Sequence, residues 1–128
     1  MNTLITDGIE ISVEAFYQKD YSRPSKKRYV FSYRVRIFNF REDSVQLLRR
    51  KWHIFDSAGF IREVEGEGVI GEQPILPPEG SHEYESWCPL NTPIGKMDGS
   101  FLMVSLETNE TFSVLIPEFR LIAPFKLN

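Results

Sequence analysis

Alternation with a period of two runs through most of this chain. At Ile9–Tyr17 the apolar side chains Ile9, Ile11 and Val13 alternate with Glu10, Ser12 and Glu14. Over residues 29–37, Tyr29, Phe31, Tyr33, Val35 and Ile37 are set against Ser32, Arg34 and Arg36. Each pattern predicts a half-buried strand. Residues 45–55 keep the alternation but change its parity, since Val45 and Leu47 are odd while Trp52 and Ile54 are even. That switch predicts a bulge or bend between Leu48 and Lys51. After the turn cluster Asp56-Ser57-Ala58-Gly59, residues 60–65 read as a short strand and residues 73–80 as a Pro- and Gly-rich connection. Further strands are expected over residues 82–87, 100–107 and 111–124, with a loop through Pro89 and Pro93 and a turn at Thr108-Asn109-Glu110. Residues 18–28 read as a long hydrophilic loop. No segment carries a convincing 3.6-residue period.

About seven strands or more, separated by turns that hold most of the eight prolines and eight glycines, predict an all-β antiparallel sandwich of the immunoglobulin or fibronectin type III kind. Trp52 falls on the third strand, where immunoglobulin-like domains often bury a tryptophan, although no cysteine pair flanks it. With 128 residues, 41% of them hydrophobic, the chain can bury about two-thirds of its unfolded surface. A single domain over residues 1–128, with its core at about 7–126, is the expectation. The first sixteen residues carry Asp7, Glu10 and Glu14 and lack a basic start with an apolar run, so a soluble, cytoplasmic protein without a membrane span is expected. The single Cys88 fits a reducing compartment.

Charge changes the picture more than composition does. The net charge is −3, yet residues 23–51 hold ten basic side chains against Glu42 and Asp43, a balance of +8. Arg28, Arg34, Arg36, Arg49, Arg50 and Lys51 are therefore the candidates for binding a partner, chiefly a protein. RNA is the alternative, although the aromatics that an RNA-binding sheet interleaves on the same face are missing.

Gly66, Gly68 and Gly71 spell G-x-G-x-x-G, the pattern of dinucleotide-binding turns. Such a turn must open a helix whose N-terminus holds the pyrophosphate, and Pro74, Pro77 and Pro78 forbid one here. Four glutamates crowd the same stretch. The glycines are expected to allow positive φ or close backbone approach, with a small-anion nest as the alternative. Glu63, Glu65 and Glu67 share a parity and would line one face of a strand, a candidate Mg²⁺ contact or a charged, solvated edge. His53 and His82 stand outside any metal-ligand spacing. His82 and Ser86, on one strand, would be roughly 13 Å apart, beyond the reach of a base for a nucleophile. Cys88 reads as a packed thiol. No catalysis and no cofactor are expected.

Residues 28–39, 45–54, 63–86, 92–99 and 119–125, taken in order and spacing, resemble the ApaG family, also called CorD. The resemblance implies an immunoglobulin or fibronectin type III-like sandwich and a bacterial stand-alone domain. Its relatives occur in eukaryotic F-box proteins and in a polymerase-interacting protein, which implies a protein-interaction module. The family's names imply a link to cobalt and magnesium tolerance or to dinucleoside polyphosphates. Under that implication the alternative function is a sensor of pyrophosphate, a dinucleoside polyphosphate, Mg²⁺ or Co²⁺. A monomer or a homodimer is expected. Trp87-Cys88-Pro89 is bulkier than the family pattern at that point.

Overall fold

The computed structural model describes residues 1–126; residues 127 and 128, the far end of the expected domain, lie outside the described residues. Among the described residues the chain forms nine strands: β1 (Asn2–Thr6), β2 (Ile9–Tyr17), β3 (Tyr29–Asn39), β4 (Val45–Asp56), β5 (Ile61–Glu67), β6 (Ile75–Leu76), β7 (Ser81–Leu90), β8 (Ile94–Ser105) and β9 (Thr111–Ile122). One sheet has the order β1-β2-β3-β7. The other runs β5-β4-β8-β9, and β6 pairs with the start of β4. Every pairing is antiparallel. The two sheets pack face to face as an immunoglobulin or fibronectin type III-like sandwich. No helix among the described residues is long and apolar enough to cross a membrane.

The parity switch in β4 is a bulge. Register steps from Leu47 opposite Met103 to Arg49 opposite Leu102, so Leu48 has no partner on β8. Val45 and Leu47 point inward before it, and Arg50, Trp52 and Ile54 after it. Trp52, 2% exposed, is core: it meets Tyr33, Phe101 and Phe119 edge-on at 5.2, 6.4 and 6.0 Å between ring centres. Ile11, Val13, Val35 and Ile37 face it from the first sheet, as the alternation requires.

Several elements differ from the sequence reading. β1 pairs with β2 yet stays exposed along most of its length, so no apolar alternation marked it. β6 is two residues long, too short for any period to show. β7 continues through Pro89, which lies opposite Val30 on an outer strand, where a missing N–H leaves no ladder bond unmade. Pro117 likewise sits in an outer strand, where the β8–β9 register steps between Met97 and Gly99. The 18–28 loop contains two single 3₁₀ turns, Lys19–Tyr21 and Pro24–Lys26.

A polar anchor closes the end of the sandwich at residues 39–44. The buried Asn39 amide donates to the carbonyls of Asp43 (2.9 Å), Leu76 (3.0 Å) and Pro77 (3.3 Å), holding β6 in place. Arg41 clasps the Asp43 carboxylate through Nε (2.8 Å) and Nη2 (3.0 Å), and Ser105 Oγ donates to it at 2.6 Å. These donors hold the Asp43 carboxyl well below the usual carboxylate range.

Candidate functional site

Of the three glycines of the G-x-G-x-x-G stretch, Gly66 lies near the end of β5, opposite Arg50, and Gly68 and Gly71 lie in the turn that follows it. Val69 and Glu72 exchange backbone hydrogen bonds of 2.8 and 3.0 Å around Ile70 and Gly71, whose φ values are +48° and +74°. These are the torsions of a type I′ turn. At Gly68, φ is +64°, and an added Cβ would collide with the Glu72 carbonyl oxygen. At Gly66 a Cβ would stand 2.7 Å from the Arg50 guanidinium. Arg50 Nη1 donates to the carbonyls of Glu67 (3.0 Å) and Gly68 (2.9 Å), and Gln73 ties the hairpin to Leu48 O at 3.1 Å. The glycines thus provide the seat of Arg50 and the reversal of the chain.

The six cationic candidates are distributed over the molecule. Arg34 and Arg36 lie on the outer face of the first sheet, where Arg34 meets Glu83 (3.3 Å) and Glu85 (3.8 Å) and covers the Phe16 ring. Arg49 and Lys51 lie on the outer face of the second sheet. Lys51 Nζ reaches Glu63 (3.2 Å) and Glu65 (3.5 Å), which raises its own pKa and lowers that of Glu63. Glu67 accepts from Gln73. His53 sits beside this row, 3.0 Å from Asp98 and 3.8 Å from Glu63. Among the described residues no three His, Cys, Asp or Glu side chains are grouped so as to hold a metal ion.

Between the sheets, on the side where β5 and β7 form the two free edges, a crevice of about 210 Å³ is lined by Tyr33, Arg50, Arg62, Ser86 and Cys88 among others. Burial pushes the Cys88 thiol up to about 11, against the opposing pull of Arg62. At neutral pH it is a packed, protonated thiol. Burial also raises the Tyr33 phenol. The Tyr84 hydroxyl is buried without a hydrogen-bond partner among the described residues.

A cavity of about 510 Å³ opens at the end of the sandwich next to this crevice. Two chain segments bring cations to it. The 23–28 loop supplies Arg23, Lys26, Lys27 and Arg28. It is held shut by paired backbone bonds between Arg23 and Arg28 (2.7 and 3.0 Å) and by Lys27 in the left-handed region, φ +54°. The start of β5 supplies Arg62, fixed by its hydrogen bond to Pro89 O at 2.9 Å, while residues 89–91 close the far wall. Asp56 alone among the lining residues carries a carboxylate, and its Oδ1 already accepts from the amides of Ala58 (2.9 Å) and Phe60 (3.3 Å). Lys26, Lys27 and Arg28 make no ion pair and no side-chain hydrogen bond among the described residues. Phe60 and Ile61 stand at the rim, 69% and 65% exposed. The cavity thus combines five cationic side chains with an apolar wall that includes Phe60 and Ile61.

The family profile for the ApaG domain matches residues 19–105. The chain belongs to the ApaG family. Members similar to it include Protein ApaG of Sinorhizobium fredii, 48% identical over 124 residues that cover 97% of this chain and 95% of that one. Protein ApaG of Rhizobium meliloti is 47% identical over the same shares. A crystal structure described as the ApaA protein of Bordetella pertussis superposes with a TM-score of 0.88 at 42% identity, covering 91% of this chain and 94% of that one. The span matched by the ApaG profile contains the glycine hairpin and every residue lining the cavity.

Sequence reasoning placed Arg28 and its neighbours in a basic segment but did not bring Phe60, Ile61, Arg62 and Asn91 to them. The one signal for Arg62 was its isolation among glutamates, a lone base on a strand of acids. The other three depend on the sandwich folding the 56–61 turn and the end of β7 over the 23–28 loop.

Proposed function

We infer that this chain is a non-catalytic protein-binding module of the cytoplasm. The observation that supports it best is the end cavity, whose cationic side chains lack carboxylate partners and whose rim presents Phe60 and Ile61 to solvent. Uncompensated charge beside exposed apolar surface is how a protein steers and then anchors a partner. The nucleophile candidates favour the same reading. Cys88 is held protonated, and His53 is turned to Asp98 and Glu63 on an outer face, away from Ser86 and Cys88. Ligand capture by the glycines is disfavoured by Arg50, which fills the space over Gly66. An extended RNA track is disfavoured by the division of the arginines between opposite faces.

A photo-crosslinking residue in place of Phe60, used in cells, should yield one discrete adduct that is lost when Lys26, Lys27 and Arg28 are changed to Glu. The identified protein, purified, should bind the wild-type chain and not that variant. Hydrolysis of a nucleotide by the purified chain, abolished by a point change and retained through further purification, would sink the reading.

A further inference from the structure

We propose that the end cavity recognises a short acidic peptide segment whose carboxylates enter among Lys26, Lys27, Arg28 and Arg62 while an adjacent apolar side chain packs on Phe60 and Ile61. The inference rests on the protein-binding reading and names the chemistry of the partner.

Three features of the cavity select this occupant. The first is charge: five cationic side chains surround about 510 Å³, and the sole lining carboxylate is committed to the amides of its own turn. A single anion would leave most of that charge unmatched, whereas several carboxylates along one chain match it. The second is the mixture of donors. Lys26 and Lys27 carry mobile ammonium groups, free to follow carboxylates at varied spacing, while Arg62 is pinned to Pro89 O and offers its remaining N–H groups in a fixed plane. The third is the wall. Ile54, Phe60, Ile61, Pro89 and Leu90 give the cavity an apolar side that a bare phosphate would leave unused, and the two most exposed of them lie at the mouth.

The entrance also suits an extended chain. β5 pairs with β4 alone, so its other edge is open beside the cavity from Ile61 onward. Farther along that strand Glu63, Glu65 and Glu67 outnumber Lys51, which pairs with the first two, and leave a net negative charge that disfavours an acidic segment. Acidic residues are thereby directed to the cavity end.

The test is an immobilised peptide array in which two to four Glu or Asp residues flank one Leu or Phe, printed beside copies with Gln and Asn in their place. Fluorescence anisotropy at about 150 mM salt, near a Debye length of about 8 Å, then follows the strongest sequence. Acidic peptides should bind saturably and their amide copies should not. Lys26→Ala/Lys27→Ala/Arg28→Ala should weaken binding about tenfold or more, and Phe60→Ala severalfold, each with an unchanged thermal midpoint. Arg34→Ala/Arg36→Ala, which alters basic residues on another face, should leave binding unchanged. Amide NMR shifts should centre on residues 23–28, 54–62 and 89–91.

Absence of any acidic binder from the array overturns the proposal, as does an equal loss in the Arg34/Arg36 variant. Tripolyphosphate or an eight-nucleotide oligouridine shifting the same amides at lower concentration than the peptide also overturns it, and assigns the cavity to a phosphate compound or to RNA. If the Phe60 crosslink still captures a partner that binds when purified, while the array stays blank, the protein-binding reading survives and the acidic-peptide inference alone falls.

Discussion

Single residues in this protein are held by unusually specific partners. Asp43 accepts from both arms of Arg41 and from Ser105, and is mostly shielded from water. Asp43→Asn should therefore destabilise the fold by about 2 kcal/mol at pH 7, a loss typical of charge-assisted hydrogen bonds. Because the native carboxyl titrates below its unfolded value, this contribution is complete above the unfolded pKa near 4 and fades as pH falls toward the native value. Urea titrations of wild type and variant should thus diverge at pH 7 and converge on acidification below about pH 4. The glycines give a second comparison. Gly68→Ala combines a positive φ with a collision against backbone, while at Gly71 nothing stands within 4 Å of an added Cβ. Gly71→Ala should cost about 1–2 kcal/mol from the left-handed torsion alone. Gly68→Ala should cost clearly more, and denaturation midpoints in that order check the assignment. Cys88, pushed up to about 11 and buried, should react with a thiol reagent at pH 7.5 only as fast as the protein unfolds.

At the scale of elements, alternation was readable wherever one face of a strand is buried and the other wet. β2, β3 and the bulged β4 announced themselves for that reason. β1 did not, because an outer strand with little buried surface needs no apolar set. The same property governs its dynamics. Hydrogen exchange should show β1 amides exchanging well before those of β3 and β4, which are paired on both sides. β6 is held by its pairing with β4, by the buried Leu76 and by the Asn39 amide. Asn39→Ala removes three donor contacts to backbone carbonyls, and a loss of roughly 2 kcal/mol with detachment of Ile75 and Leu76 is expected, visible as a lowered thermal midpoint and as early exchange there.

The whole molecule is acidic but carries one cationic end. Of the ten bases within residues 23–51, three have carboxylate partners among the described residues: Arg34 meets Glu83 and Glu85, Arg41 meets Asp43, and Lys51 meets Glu63 and Glu65. Arg36 and Arg49 stand singly on the outer faces of the two sheets and Arg50 is bound to backbone carbonyls, whereas the 23–28 loop and Arg62 gather five cations at one end without a carboxylate partner among the described residues. Association of an acidic peptide should therefore slow by about tenfold between roughly 10 and 200 mM salt, while its dissociation changes little, as stopped-flow fluorescence would show.

Local alternation and turn chemistry, acting between neighbours a few residues apart, were enough to determine the sandwich, the break near Leu48 and the exclusion of a helix after Gly71. Residues 28–39 and 63–86 were enough to place the chain beside the ApaG family. The cavity was another matter. Its walls come from residues 23–28, 54–62 and 89–91, brought together only when β4, β5 and β7 take their places in two sheets. Which charges cancel and which stay open likewise depends on distances across strands, and sequence separation carries no measure of those. Gly66 shows the division most plainly. Its sequence context signalled a tight backbone, but only the fold revealed that the space beside it belongs to the guanidinium of Arg50.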